Sequence, residues 1–303
     1  MMKKDLLKMS DLTCEEINDI LNLAEQLKFE NKNNIAHKRL EGKTLGMIFE
    51  KSSTRTRVSF EVGIYQLGGS GLFLSSKDLQ IGRGESVQDT ARVLSRYLDG
   101  VMIRTFEQKT VEDFAKYASI PVINGLTDYS HPCQILADLL TIREVFGKLE
   151  GLKMCYIGDG NNMANSLIVG GLTVGMSVSV ACPDNYLPAA DVLEFTKKYG
   201  DKFTLTNKPS EAAVGADVLV TDVWASMGQE GEIAERRKAF VGYQINSDLM
   251  KLANDGAIVL HCLPAHKGEE ITEEVFENNA KYIFEEAENR LHAQKAVMAI
   301  LMA

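Results

Sequence analysis

The stretch Thr44–Gly69, TLGMIFEKSSTRTRVSFEVGIYQLGG, decides the architecture. Its first six residues form an apolar run too short for a helix and suited to a buried strand. A polar turn follows, then a segment from about 54 to 67 that reads as a helix, stopped by Gly68-Gly69. LFLS at 72–75 is the next strand-like run. Strand, helix and strand in this order make a βαβ unit, whose two strands lie parallel beneath the crossover helix.

The rhythm continues in both directions. Upstream, Thr13-x-x-Glu16 is a capping box ahead of Ile17, Ile20, Leu21, Ala24 and Leu27 at helical spacing. Downstream come a helix opened by Ser86-x-x-Asp89, VMIR (101–104), a helix capped by Thr110-x-x-Asp113, and PVIN (121–124). A long helix from about Pro132 to Phe146 ends at Gly147-Lys-Leu-Glu-Gly151. A second series of strands follows at 153–157, 177–181, 217–221, 257–261 and 281–284, and the chain closes on a helix from about Glu285. The expected class is α/β with two domains, each a mainly parallel sheet flanked by helices. The division expected is 1–135 and 136–285, with about 286–303 packing back on the first domain.

At 303 residues and 45% hydrophobic content the chain can bury two cores. A net charge of −9 argues against nucleic-acid or anionic-membrane partners, because phosphates along a surface need an excess of positive charge. The amino-terminal MMKKDLLKMSDLT has no apolar signal core, and no run approaches the ~20 apolar residues of a membrane span; a cytoplasmic location is expected. The five cysteines (14, 133, 155, 182, 262) never pair as CxxC, so neither a disulfide framework nor a zinc ribbon is indicated. His261, Cys262 and His266 match no common zinc spacing, and no metal or cofactor is expected.

Ligands of open parallel sheets collect beyond the carboxyl ends of strands. Six such ends carry polar or reactive groups, three per domain, as an active site in the interdomain cleft would require. In the first half these are Ser52–Arg57, Arg104, and Ser130-His-Pro-Cys-Gln134. In the second they are Asp159-Gly-Asn-Asn162, Asp222 with Ser226-Met-Gly228, and His261-Cys-Leu-Pro264. The helix start at Ser53–Thr56 offers free N–H groups, hydroxyls and the Arg55 fork to a phosphate, although the same residues also suit an ordinary helix cap. His131 and Gln134, about one turn apart, can reach one ligand. Cys262 fits either a buried thiol or a group at a reacting centre. Gly158 and Gly160 satisfy two positions of a dinucleotide fingerprint, but Met163 fails the third, which makes a nicotinamide dehydrogenase the weaker rival.

Together, Ser53-Thr-Arg-Thr-Arg57, His131-Pro-x-Gln134 and His261-Cys-Leu-Pro264 resemble the aspartate/ornithine carbamoyltransferase family, as do Phe49-Glu-Lys and Asp89–Leu94. Asp222-x-x-x-Ser226-Met-Gly228 resembles its ornithine branch. The resemblance implies carbamoyl transfer from carbamoyl phosphate to the δ-amine of L-ornithine, giving L-citrulline and phosphate. It implies a carbamoyl phosphate domain followed by an ornithine domain, and a homotrimer or larger assembly of trimers. Ser53, Thr54, Arg55 and Thr56 would hold the phosphate with Arg104, while Thr56, Arg104 and His131 polarise the carbonyl. Gln134, the Leu263 carbonyl and Arg290 would orient the carbamoyl group, with Pro132, Cys133 and Cys262 also lining its site and Gln80 reaching a neighbouring subunit's phosphate. The catalytic set would be Arg55, Arg104, His131 and Cys262. Asn162, Ser226 and Met227 would take ornithine's α-carboxylate and α-ammonium, with Asp222 as the anionic partner. Aspartate or putrescine as the acceptor, and a noncatalytic phosphometabolite-binding protein, are the other readings; Arg57 is left structural.

Overall fold

The computed structural model describes residues 5–80, 84–225, 228 and 230–303. The chain forms two compact units, one running through Leu140 and joined by Asn289–Ala303, the other Thr141–Glu288.

The first unit begins with α1 (Cys14–Lys32), where Thr13 Oγ1 accepts from Glu16 N–H and the Glu16 carboxylate accepts from Thr13 N–H. There follow β1 (Thr44–Phe49), α2 (Thr54–Gln66), β2 (Ser70–Ser75), α3 (Val87–Leu94), β3 (Gly100–Arg104), α4 (Gln108–Tyr117), β4 (Val122–Leu126) and α5 (Pro132–Phe146), whose residues from Thr141 belong to the second unit. The four strands are all parallel, in the order β2-β1-β3-β4. Ile48, Val101 and Ile103 from the sheet pack with Ala91 of α3 and Val111 and Phe114 of α4. Each such large side chain contributes roughly 1.5–3 kcal/mol on burial.

The second unit contains β5 (Lys153–Ile157), α6 (Asn162–Thr173), β6 (Ser177–Ala181), α7 (Ala190–Thr196), β7 (Phe203–Thr206), α8 (Pro209–Ala213), β8 (Val218–Thr221), α9 (Ile233–Ala239), α10 (Ser247–Met250), β9 (Ile258–His261) and the first part of α11 (Glu273–Leu301), which from Asn289 belongs to the first unit. Its parallel sheet has the order β7-β6-β5-β8-β9. Both orders share one property. The chain leaves β1 toward β2 and returns to β3 on the other side; it leaves β5 toward β6 and returns to β8 on the other side. Connections diverge at such a switch point, which opens a crevice at the carboxyl ends. Ser53–Thr56 and Arg104 flank the first; Asp159–Asn162 and Asp222 flank the second.

Three local expectations need correction. KYIF (281–284) lies inside α11 rather than in a strand: no Gly or Pro interrupts 273–301, and Val275, Phe276 and Ile283 share the core at helical spacing. The fifth strand is instead Phe203–Thr206, whose half-buried FTLT gives only a short apolar signal. Thr110 is not a cap, because α4 starts after Glu107, one turn earlier.

Candidate functional site

In the first unit Ser53 ends the turn after β1 and caps α2, its hydroxyl accepting from Thr56 N–H at 3.2 Å. Thr54 is exposed at the first helical position, and a cavity of about 500 Å³ adjoins it, lined by Phe49, Ser52, Ser53, Thr54, Arg57 and Phe73. Thr56 points the other way, into the protein. Its Oγ1 accepts from Arg290 at 2.8 Å and from Arg104 at 3.4 Å, all three residues being buried. A helix N-terminus with two guanidiniums beside it favours an anion electrostatically.

His131 shares this environment. Burial, followed by the positive charges of Arg290, Arg104 and Arg55, holds its imidazole well below the usual histidine range. It is therefore neutral at pH 7, with one N–H to donate and no positive charge to compete with the arginines. Gln134, a turn into α5, donates from its amide to Asp138 at 2.9 Å. Pro132 opens α5. The Cys133 thiol is turned into the core, donates toward the Asn124 carbonyl at 3.4 Å, and is pushed up to about 12 by burial. Gln80 is exposed beyond β2, at the edge of the undescribed residues 81–83. Arg57 lies 3.9 Å over the Phe73 ring and pairs with Glu61 at 3.3 Å, which directs it toward β2 and away from Thr56.

In the second unit Asp222, just past β8, is the hub. Its Oδ1 accepts from Val223 N–H at 2.8 Å and from the Cys262 thiol at 3.1 Å; its Oδ2 accepts from the Asn161 amide at 3.1 Å. Asn161 is the N-cap of α6, its Oδ1 accepting from Met163 and Ala164 N–H. Asn162 is the buried first residue of that helix. Ser226 and Met227 lie outside the described residues.

The loop after β9 is set by His261. Its Nδ1 accepts from Leu263 N–H at 2.9 Å, which leaves the ring proton on Nε2 to bond Glu270 at 3.0 Å. Both ring nitrogens are thus used in shaping the Cys262-Leu263 turn, where Leu263 has φ +60° and precedes a cis proline. Gly160 is explained differently from a dinucleotide fingerprint. A Cβ there would lie 2.2–2.5 Å from the backbone of Tyr186–Pro188, so the chain's own loop occupies the approach that a pyrophosphate would need.

Several contacts involve residues to which the sequence reading gave no role. Lys51 is buried, paired with Asp128 and 4.4 Å from the Phe106 ring centre, while Glu50 accepts from Thr105. These contacts tie the β1–α2 turn to the end of β3 and to the turn before His131. Arg236 of α9 is buried and donates to Asp159 at 2.7 Å, Glu232 at 2.9 Å and the Trp224 carbonyl at 2.9 Å. Asn161 was readable only as a neighbour of Asn162, and a lysine in a polar turn carries no mark of its burial.

The chain matches a family described as aspartate/ornithine carbamoyltransferase, with the carbamoyl-P binding domain over residues 4–144 and the Asp/Orn binding domain over 150–301. An ornithine carbamoyltransferase of Thermococcus kodakarensis is 55% identical over 99% of this chain and 96% of its own length. That of Syntrophotalea carbinolica is 57% identical, with 100% of each chain covered. The solved structure of the Pyrococcus furiosus ornithine carbamoyltransferase superposes with a TM-score of 0.93 at 52% identity, covering 98% of this chain and 96% of that one.

Proposed function

The chain belongs to the aspartate/ornithine carbamoyltransferase family, and from that premise we propose how its residues move a carbamoyl group from carbamoyl phosphate to the δ-nitrogen of L-ornithine. The observation that carries the proposal is the convergence of Arg104 and Arg290 on Thr56, beside a neutral His131.

In this reading the N-terminus of α2, with Ser53, Thr54 and Arg55, takes the phosphate. Arg104, the Thr56 hydroxyl and His131 donate to the carbonyl oxygen, while Arg290, Gln134 and the Leu263 carbonyl orient the carbamoyl amide. The neutral δ-amine attacks the carbonyl carbon. Electrons move to the oxygen, where fixed donors stabilise the oxyanion; the intermediate then expels phosphate, which carries away the proton lost by nitrogen. Freeing the amine costs about 3 kcal/mol at pH 8, since an alkylammonium has a pKa of roughly 10.4. A carboxylate beside it would raise that cost, so Asp222 suits the α-ammonium, with the Cys262 thiol it holds placed toward the attacking nitrogen. Asn162, Ser226 and Met227 complete the amino-acid site.

The homotrimer belongs to the same reading. β2 is an edge strand, and Leu72, Phe73, Val58, Val62 and Tyr65 are exposed apolar side chains on β2 and α2, which suits contact with a second copy of the chain. Gln80, just beyond that strand, would reach the neighbour's phosphate. Among the described residues no helix is long and apolar enough to cross a membrane, and a cytoplasmic site of action is part of the proposal. The deciding experiment supplies carbamoyl phosphate with ornithine, putrescine or aspartate separately. Citrulline with ornithine, and little product otherwise, is expected; preferential use of another acceptor would overturn the ornithine assignment. Light scattering of the purified chain tests the trimer.

A further inference from the structure

Lys295 of α11 is fully buried yet keeps two polar contacts. Its Nζ donates to Gln66 Oε1 at 2.8 Å and lies 3.0 Å from His37 Nε2. An ammonium has only donors, so Nε2 accepts, and the imidazole proton sits on Nδ1, which faces the Ile35 carbonyl at 2.8 Å. Glu30 of α1 is the attractive charge nearby, itself paired with Arg39 at 3.5 Å. One side chain therefore joins α11, the last residue of α2 and the segment after α1.

Between Lys295 and Arg290 the two helices meet at a glycine. A Cβ built on Gly63 of α2 would lie 3.0 Å from Met298, 3.2 Å from Lys295 and 3.5 Å from Leu291, side chains that form one stripe of α11. The pair is thus fastened at two points on α2, Thr56 and Gln66, separated by ten residues or roughly 15 Å of helix. One fastening on α2 lets the two helices pivot about it; a second, across the close approach at Gly63, sets their relative slide and rotation.

We propose that Lys295 is a positioning residue for carbamoyl transfer: by holding α11 in register on α2 it sets where the Arg290 guanidinium meets Thr56. The proposal rests on the assignment of Thr56 and Arg290 to the carbamoyl phosphate site. Nothing in Lys295 itself touches a ligand, and its burial is costly to the charged form: desolvation, opposed by Glu30, lowers the ammonium to about 8. An apolar residue at this position would pack without that cost, whereas only a donor of this length reaches both Gln66 and His37.

The test uses the full chain as wild type, Lys295→Met, Gln66→Leu and the double variant. Steady-state kinetics at pH 7 give KM for carbamoyl phosphate and for ornithine, with thermal melting alongside. Lys295→Met should raise the carbamoyl phosphate KM roughly tenfold, with ornithine KM changed less than about twofold; Gln66→Leu should act in the same direction, and the double variant should fall short of the product. Lower melting with an unchanged carbamoyl phosphate KM would mean that Lys295 only stabilises the helix, and would overturn the proposal. Should Lys295→Met not fold, Gln66→Leu decides alone by the same criterion. A wild-type chain that does not use carbamoyl phosphate overturns the site assignment, and this proposal with it.

Discussion

The hydroxyl of Thr56 accepts a 2.8 Å hydrogen bond from Arg290, a residue 234 positions later in the chain. This contact joins α2, whose N-terminus is the candidate phosphate site, to α11, the last helix of the protein. Removing the hydroxyl while keeping the shape, as in Thr56→Val, takes one acceptor away from the buried guanidiniums of Arg290 and Arg104. Hydrogen bonds to charged groups contribute about 1.5–3 kcal/mol, so kcat/KM for carbamoyl phosphate should fall by roughly 10- to 150-fold. Ornithine KM should change little; steady-state kinetics with each substrate varied in turn checks both.

His131 makes a prediction about pH. Its folded pKa lies well below the ordinary histidine value, chiefly through burial. Over the interval between the two values the unfolded chain binds a proton that the folded chain refuses, so stability rises with pH there and is fully recovered above about 6.5. His131→Gln should flatten this rise in urea titrations between pH 5 and 7, while keeping an N–H donor and part of the activity. His131→Ala should lose about 10²–10³ in kcat, the usual cost of removing an oxyanion donor.

Asp222, Asn161 and Cys262 form one hydrogen-bonded set. Asp222→Asn should weaken ornithine far more than carbamoyl phosphate. Asn161→Ala removes both a donor to Asp222 and the cap of α6, and should raise ornithine KM with a stability loss of about 1 kcal/mol. Cys262→Ser keeps a donor to Asp222 and should be the mildest of the three. Equal effects on both substrates would place this set outside the amino-acid site.

Gly160 faces the backbone of Tyr186–Pro188, where a Cβ would stand 2.2–2.5 Å from main-chain atoms. Gly160→Ala must push that loop aside and should destabilise the protein by roughly 1–3 kcal/mol, read from the midpoint of denaturant unfolding. An unchanged midpoint would mean the loop yields freely.

Much of this was legible in the sequence, because strand and helix periodicities and helix caps are local signals. Ser53, Ser86 and Thr13 cap helices where their spacing indicated. The strand misread at 281–284 shows the limit: four apolar or aromatic residues fit either element, and the uninterrupted helical context of 273–301 decides. The candidate site residues stood out in the sequence because ligands of parallel sheets gather at strand ends. Lys51, Arg236 and Lys295 did not, since burial of a long cationic side chain depends on partners distant in sequence: Asp128 for Lys51, Asp159 for Arg236, and Gln66 and His37 for Lys295. Arg57 was left structural because residues two apart on a helix place side chains on different faces, and it lies over Phe73.

The most direct measurement follows the carbonyl carbon itself. With carbon-13 carbamoyl phosphate and L-ornithine, nuclear magnetic resonance should show the label moving into the ureido carbon of citrulline, one phosphate released per citrulline formed, and no label transfer without ornithine. Release of phosphate at the same rate with the label appearing as carbonate or cyanate, whether or not ornithine is present, would contradict carbamoyl transfer as the function of this chain.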